Sequence, residues 1–419
     1  MTITSLEYGV PAVAGGTPAK TTPYTKEQRY GEAELQQLRE ALEQGTLFYT
    51  GGRKVRDFEA AFANLCGADH AIACSSGTAG IHATLIAGGI SPGDEVITSP
   101  ITDMGSIVPI LYQGAVPVFA DLEPHTYNLA PGAVEAAITP YTCAILAIHL
   151  FGNACNLQAL SEIAERHNLL LIEDCAQAHG CLYQGRAVGN WGRMGCYSFN
   201  EFKHVACGDG GIVITNDAES ARKLRLATDK CYNREAGATS RQATFLANNY
   251  RMTELQGAVA LAQTSKLNDI VQRRRNWCGQ LLEALKDVPG IALPEITAGC
   301  DPSWWYFALR VEPAVLGADA ATFASALRAE GLPVAANYIG QGIYEYPIFT
   351  QHSAFERGEH PYCRYAYGPG LCPTAEAILD TIVMLTVREA YTQTDLEETV
   401  YAIRRVAAWF QQQSQGGVA

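Results

Sequence analysis

Three short segments carry residues able to do chemistry together. The first is Ser198-Phe199-Asn200-Glu201-Phe202-Lys203, followed closely by Gly208-Asp209-Gly210-Gly211. A lysine just beyond an apolar strand, beside glycines that let backbone approach closely, suits an amine held in a closed pocket and used as a Schiff-base nucleophile. A solvated loop lysine gives the same local pattern, because lysine is seldom buried. The second segment is Leu169-Leu170-Leu171-Ile172-Glu173-Asp174, an apolar run ending in two carboxylates and continuing as Cys175-Ala176-Gln177. Open α/β sheets bind ligands outside the carboxyl ends of their strands, where Asp174 would face a bound group. Opposite a pyridine nitrogen, an ionised Asp174 would keep the ring protonated and let it act as an electron sink. Capping of the next turn is the alternative. The third is Cys74-Ser75-Ser76-Gly77-Thr78-Ala79-Gly80. A helix starting there offers free backbone N–H groups, a positive dipole end and two kinds of hydroxyl to a phosphate, although Ser-Gly-Thr is also an ordinary helix cap. It is no Walker loop, for no Gly-Lys-Ser/Thr follows.

These groups need strands and helices that bring them to one edge. Over 58–174 the hydrophobic pattern predicts strands at 70–73, 95–98, 117–121, 143–149 and 169–173. Helices at 77–87, 107–113, 131–137 and 157–167 alternate with them, the signature of right-handed crossovers between parallel strands. A strand at 194–198, a glycine-rich turn at 208–211 and a strand at 212–215 leading into a helix follow, with antiparallel pairing left open. A periodic stretch over 253–286 predicts one long helix, stopped by Pro289-Gly290. Beyond it, a strand at 304–311, a helix at 320–329, a strand at 333–338 and a helix at 395–412 predict a smaller α+β unit.

Composition narrows the partners. The chain has 419 residues, 30 Lys+Arg against 43 Asp+Glu and a formal net charge of −13. That balance argues against nucleic acid or an anionic membrane, which demand clustered Lys and Arg. Thirteen cysteines without a C-x-x-C pair suggest neither a disulfide framework nor a zinc site, and no metal is expected. Residues 1–20 lack a charged start followed by an apolar core, and no apolar run approaches the roughly 18 residues of a membrane span. A cytoplasmic protein is expected.

Taken together, in this order and spacing, the segments resemble the DegT/DnrJ/EryC1/StrS family of pyridoxal-phosphate-dependent sugar aminotransferases over about residues 15–406. Phe58-Glu59-Ala60-Ala61-Phe62, Gly93-Asp94-Glu95-Val96-Ile97, Pro117-Val118-Phe119-Ala120-Asp121, Ile148-His149-Leu150-Phe151-Gly152, Ala178-His179-Gly180 and Asn249-Tyr250-Arg251-Met252 add to the match. The resemblance implies an α/β protein of the aspartate-aminotransferase type (pyridoxal-phosphate fold type I). It divides into an arm at 1–30, a large cofactor-binding domain at 31–288 on a mainly parallel seven-stranded sheet, and a small α+β domain at 289–419. It also implies that Lys203 carries the cofactor as a Schiff base and moves the proton between the substrate carbon and C4′. Asp174 pairs with the pyridine nitrogen, Gln177 approaches the phenolic oxygen, and Ala176 packs on a ring face. Gly77, Thr78 and Ser198 hold the phosphate. Asn249 reaches the phosphate of a neighbouring subunit, which makes the functional unit a homodimer with shared active sites.

The implied reaction moves an amino group from L-glutamate or L-glutamine to a keto-sugar, nucleotide-linked, or to a keto-cyclitol. Family members acting as dehydratases replace the lysine by histidine, so the retained Lys203 points to transamination; His204 reads as a structural or solvent-facing neighbour. Arg251, from the partner chain, has a guanidinium fork that matches a donor carboxylate, with a helix-start ion pair as the alternative. Where many relatives place an aromatic residue on the ring, this chain reads Thr102-Asp103-Met104-Gly105. Asp103 cannot stack, leaving Met104 or another segment to cover the ring. Gly15-Gly16-Thr17-Pro18 resembles the branch with cyclitol aminotransferases. Tyr49, Tyr232, Trp304, Trp305, Tyr338 and Tyr344 fit either a polyol or nucleotide site or plain packing, and Arg273-Arg274-Arg275 reads as a solvated helix face. Elimination or oxidation on the same scaffold, and a non-catalytic regulatory binder, are the competing functions.

Overall fold

The computed structural model describes residues 8–25, 28–234, 242–356 and 359–416. In chain order the first strands are β1 (His70–Cys74), β2 (Glu95–Thr98), β3 (Val116–Phe119), β4 (Thr142–Ile148) and β5 (Leu170–Asp174). The short β6 (Leu182–Tyr183) and β7 (Arg186–Ala187) come next, then β8 (Met194–Ser198) and β9 (Gly211–Thr215). Seven of these form one sheet in the order β1-β9-β8-β5-β4-β2-β3. Pairing is parallel from β3 through β8. Strand β9 alone runs antiparallel to both its neighbours, which answers the question left open for this region.

Burial on both faces explains the unbroken apolar runs of the inner strands. Along β4, Ile145 and Ala147 enter the core on one face while Ala144, Leu146 and Ile148 enter the core on the other. The same alternation in β5 sends Leu171 and Ile172 to opposite cores. Glu173 and Asp174 therefore leave the strand on opposite faces. Helix Gly77–Ala87, whose Ile81 and Leu85 enter the core shared with Ile172, covers the face of Asp174. Its small residues let it lie close: a Cβ on Gly80 would sit 2.5 Å from Cys196 Sγ in β8.

The second sheet is antiparallel, with β10 (Ile291–Ala292), β12 (Tyr306–Val311), β14 (Ile382–Thr386) and β13 (Val334–Ala336) in that order. Strand β11 (Cys300–Asp301) joins β6 and β7 in a third, three-stranded sheet. Phe307, Leu309, Phe323 and Leu385 share a core with Ile403 and Val406 of the terminal helix Gln393–Gly416. The amino-terminal arm docks on this unit, its Lys20 Nζ 2.6 Å from both Asp395 and Glu398.

Three expectations change. The helix expected over 253–286 is two helices, Glu254–Thr264 and Leu267–Leu285. Ser265 Oγ donates to the Ala262 carbonyl at 2.7 Å, the Lys266 amide to Gln263 at 3.0 Å, and the Lys266 ammonium pairs with Glu34 at 2.6 Å. Side chains thus close a turn that no Gly or Pro announces. Strand β14, central to the small sheet, was not foreseen. The helix expected at 107–113 is Met104–Tyr112, starting earlier because Asp103 caps it through the Gly105 amide at 2.7 Å.

Candidate active site

Gly77, Thr78, Asp174, Gln177, Ser198 and Lys203 all line one cavity of about 230 Å³, bounded also by Ala176 and Asp103. Strand order explains the convergence. Ile148, Asp174 and Cys196 are register partners across β4, β5 and β8, so Asp174 lies at the carboxyl edge between two parallel neighbours. The turn after β1 starts helix Gly77–Ala87 above that edge, capped by Ser76 Oγ on the Ala79 amide at 3.0 Å. A Cβ on Gly77 would approach the Ser198 Cβ to 2.8 Å, so only glycine lets the helix start meet the end of β8.

Asp174 is buried. Its Oδ2 accepts from Ser106 Oγ at 2.6 Å and its Oδ1 from the Ala176 amide at 2.9 Å. Burial pushes its carboxyl above the ordinary value, opposed by these two hydrogen bonds and by Lys203. Burial conversely lowers the Lys203 ammonium, while Asp174 and Asp103 pull it back up. The two groups are thus electrostatic partners across the cavity. Gln177 receives the Phe151 amide at 2.9 Å, which must point at its oxygen. Its NH₂ is left to donate, and meets the Tyr338 hydroxyl at 3.3 Å.

The neighbouring acid has another task. Glu173 accepts from the amides of Gly189, Trp191 and Gly192 at 2.6, 2.8 and 2.7 Å and contacts His149 Nε2 at 3.0 Å. His149 Nδ1 takes the Cys155 amide at 3.1 Å. His149, Glu173 and Cys175 have metal-like spacing, but the His149 and Glu173 acceptors are spent on this hydrogen-bond knot. His204 is fully buried and bonds the Ser303 carbonyl at 3.0 Å, making it a structural neighbour rather than a solvent-facing one.

Some expected residues lie elsewhere. Asn249 is exposed, bridged to Asp229, and outside the cavity. Arg251 is paired with Asp229, as is Arg234 at 2.8 Å, and Tyr49 donates to the same carboxylate at 2.9 Å. Asp103 caps a helix, and Met104 packs into the large core. The ring over Lys203 belongs to Trp305. Of the arginine run only Arg273 is exposed: Arg274 is buried against Glu389 at 2.8 Å, and Arg275 holds the carbonyls of Gly180, Asp301 and Pro302. Ser106 and Trp305 enter the site through long-range packing, and no local pattern marks the serine.

The residues fit pyridoxal phosphate. Helix-start N–H groups and the Thr78 and Ser198 hydroxyls line one end of the cavity and would suit a phosphate, the buried Asp174 would suit a protonated ring nitrogen, and Lys203 would supply the amine. The fold and this site define a pyridoxal-phosphate-dependent aminotransferase of fold type I. The chain belongs to the DegT/DnrJ/EryC1/StrS aminotransferase family, whose model matches residues 28–404. It is 33% identical over 382 residues (86% of this chain, 87% of the other) to a protein of Streptoalloteichus tenebrarius provisionally named L-glutamine:3-amino-2,3-dideoxy-scyllo-inosose aminotransferase. It is 38% identical over 265 residues (62% of this chain, 70% of the other) to the GDP-perosamine synthase of Caulobacter vibrioides. An aminotransferase structure from Psychrobacter cryohalolentis superimposes with a TM-score of 0.81 at 27% identity, covering 91% of this chain and 98% of the other. Among the described residues no helix is long and apolar enough to cross a membrane.

Proposed function

We propose that the enzyme takes an amino group from L-glutamate or L-glutamine and delivers it, in a second half-reaction at the same site, to a ketone. That ketone is a nucleotide-linked keto-sugar or a keto-cyclitol. Bound pyridoxal phosphate supplies the aldehyde that accepts the amine and a ring that stores the electron pair left by proton loss. Lys203 holds the cofactor covalently and yields its place to the donor's amine. Freed, its Nζ, whose ammonium form burial disfavours, would take the α-proton and return it at C4′. Asp174 would anchor the ring nitrogen, Gln177 would donate to the phenolic oxygen, Ala176 would pack on a ring face, and Gly77, Thr78 and Ser198 would hold the phosphate. The donor leaves as a keto acid after addition of water, and the acceptor's C=O becomes CH–NH₂ with release of water.

The observation carrying this reading is Lys203 and Asp174 facing one cavity beneath a helix amino terminus. The exposed Asn249 and the neighbouring Arg251 support a homodimer in which they complete the partner's site. The names of the two relatives support both acceptor classes. In the test, L-glutamate and L-glutamine are mixed separately with holoenzyme and absorbance is followed from the aldehyde to the amine form of the cofactor. A shift with either donor is expected, and none with both overturns the reading. Lys203→Ala should leave the cofactor removable by dialysis even after borohydride.

A further inference from the structure

We propose that Ser106, with Thr102 behind it, is the positioning residue that fixes the Asp174 carboxylate toward the ring nitrogen of bound pyridoxal phosphate. The inference rests on the pairing of Asp174 with that nitrogen given above. Ser106 lies in the first turn of helix Met104–Tyr112 and is 4% exposed. Its hydroxyl donates to Asp174 Oδ2 at 2.6 Å across a separation of 68 residues, a length typical of an O–H donor on an ionised acceptor. A serine has one proton to give. The 2.9 Å contact between Ser106 Oγ and Thr102 Oγ1 must therefore be donated by Thr102, which is 2% exposed. The relay has one direction, from Thr102 to Ser106 to Asp174.

The geometry gives this relay a function beyond filling space. Asp174 Oδ1 is held by the Ala176 amide at 2.9 Å, so donors from two different elements grip its two oxygens. Together they set the rotation of the carboxylate and leave its remaining lone pairs to the cavity. Burial alone favours a protonated acid, and donors to the charged form oppose that. The titratable groups facing Asp174 are Lys203, His149 and the thiols Cys175 and Cys196. Lys203 is consumed in holding the cofactor, and His149 is turned to Glu173. Ser106 is then the side chain whose hydrogen bond keeps Asp174 ionised and aimed. The contact exists because helix Met104–Tyr112 packs beside helix Gly77–Ala87, which covers the face of Asp174.

Apoenzymes of the wild type, Ser106→Ala, Ser106→Thr, Thr102→Val and Asp174→Asn can be titrated with pyridoxal phosphate and with its analogue carrying carbon in place of the ring nitrogen. Binding is read by absorbance, and thermal melting of each apoenzyme reports folding. Ser106→Ala should weaken pyridoxal phosphate about tenfold, the loss expected for one hydrogen bond to a charged group. Thr102→Val should show a smaller loss and Ser106→Thr nearly none. For the carbon analogue, wild type and Ser106→Ala should bind alike. Turnover of Ser106→Ala should fall in kcat with the donor KM little changed. Equal weakening for both cofactors, failure of Ser106→Thr to restore binding, or no effect of Ser106→Ala would overturn the assignment. If Asp174→Asn binds pyridoxal phosphate like the wild type, the pairing of Asp174 with the ring nitrogen fails first, and that result stands apart from the serine series.

Discussion

Lys203 Nζ stands 4.1 Å from the centre of the Trp305 ring, and Trp305 Nε1 donates to the Phe202 carbonyl at 2.9 Å. The indole just before β12 is thus pinned to the loop that carries Lys203. A cation over an indole face gains about 0.5–2 kcal/mol, opposing the burial that lowers the Lys203 ammonium. Trp305→Leu should therefore lower the lysine's titration point in the apoenzyme. Rates of modification by an amine-specific reagent across pH measure it, and an upward shift would refute the contact.

The helix start above β8 has no room for added carbon. A Cβ on Gly77 would come within 2.8 Å of the Ser198 Cβ. Gly77→Ala should raise the dissociation constant for pyridoxal phosphate by about tenfold or more, because the phosphate cradle must open. A Cβ on Gly80 meets Cys196 Sγ at 2.5 Å, away from the cradle. Gly80→Ala should mainly destabilise the fold, by about 1–3 kcal/mol, as read by denaturant melts of apoenzyme. Interchanged effects would contradict the placement of the helix.

The arm should come loose in acid. Glu398 lies on the terminal helix Gln393–Gly416, where burial raises its carboxyl but hydrogen bonds from Lys20, Thr22 and Thr21 prevail and bring it down to about 2. A carboxylate depressed on folding stabilises the folded state above its unfolded value and loses that contribution as pH falls through the folded one. Arm docking should be complete above about pH 4.5 and lost progressively toward pH 2. Proteolysis of residues 8–25 by an acid-active protease should accelerate across that window, and in Lys20→Met cleavage should already be fast at about pH 5, above it. Cleavage independent of pH would dismiss the linkage.

Arg251 and Asn249 separate two roles. Arg251 shares Asp229 with Arg234 and Tyr49, so Asp229 keeps two partners when Arg251 is removed. If Arg251 binds the donor in the partner's site, Arg251→Ala raises the KM for glutamate or glutamine about tenfold or more while melting changes little. Asn249→Ala should weaken pyridoxal phosphate in a dimer seen by sedimentation. A monomer of full activity would exclude both roles.

Much of the site was legible because its residues follow strands directly. Lys203, Asp174 and the Gly77-Thr78 pair each lie within a few residues of the carboxyl end of a strand, and parallel strands bring those ends to one edge. The arginine run misled for a geometric reason. Consecutive helical residues point 100° apart, so three in a row fan over 200° and cannot all face solvent on a helix packed on two sides. Arg274 is buried and Arg275 clamps three carbonyls. Asp103, which cannot stack on a ring, instead has the local chemistry of a helix cap.

By itself the sequence determined the alternation of strand and crossover helix, the lysine, the acid and the phosphate-facing turn, since periodicity, glycine placement and strand ends are local properties of the chain. Only tertiary structure decided that Ser106 grips Asp174, that Trp305 covers Lys203, and that Glu173 turns away from its neighbour into a knot with His149. Those contacts join residues 24 to 102 positions apart, and the order of strands in the sheet, which no local pattern encodes, sets which of them meet.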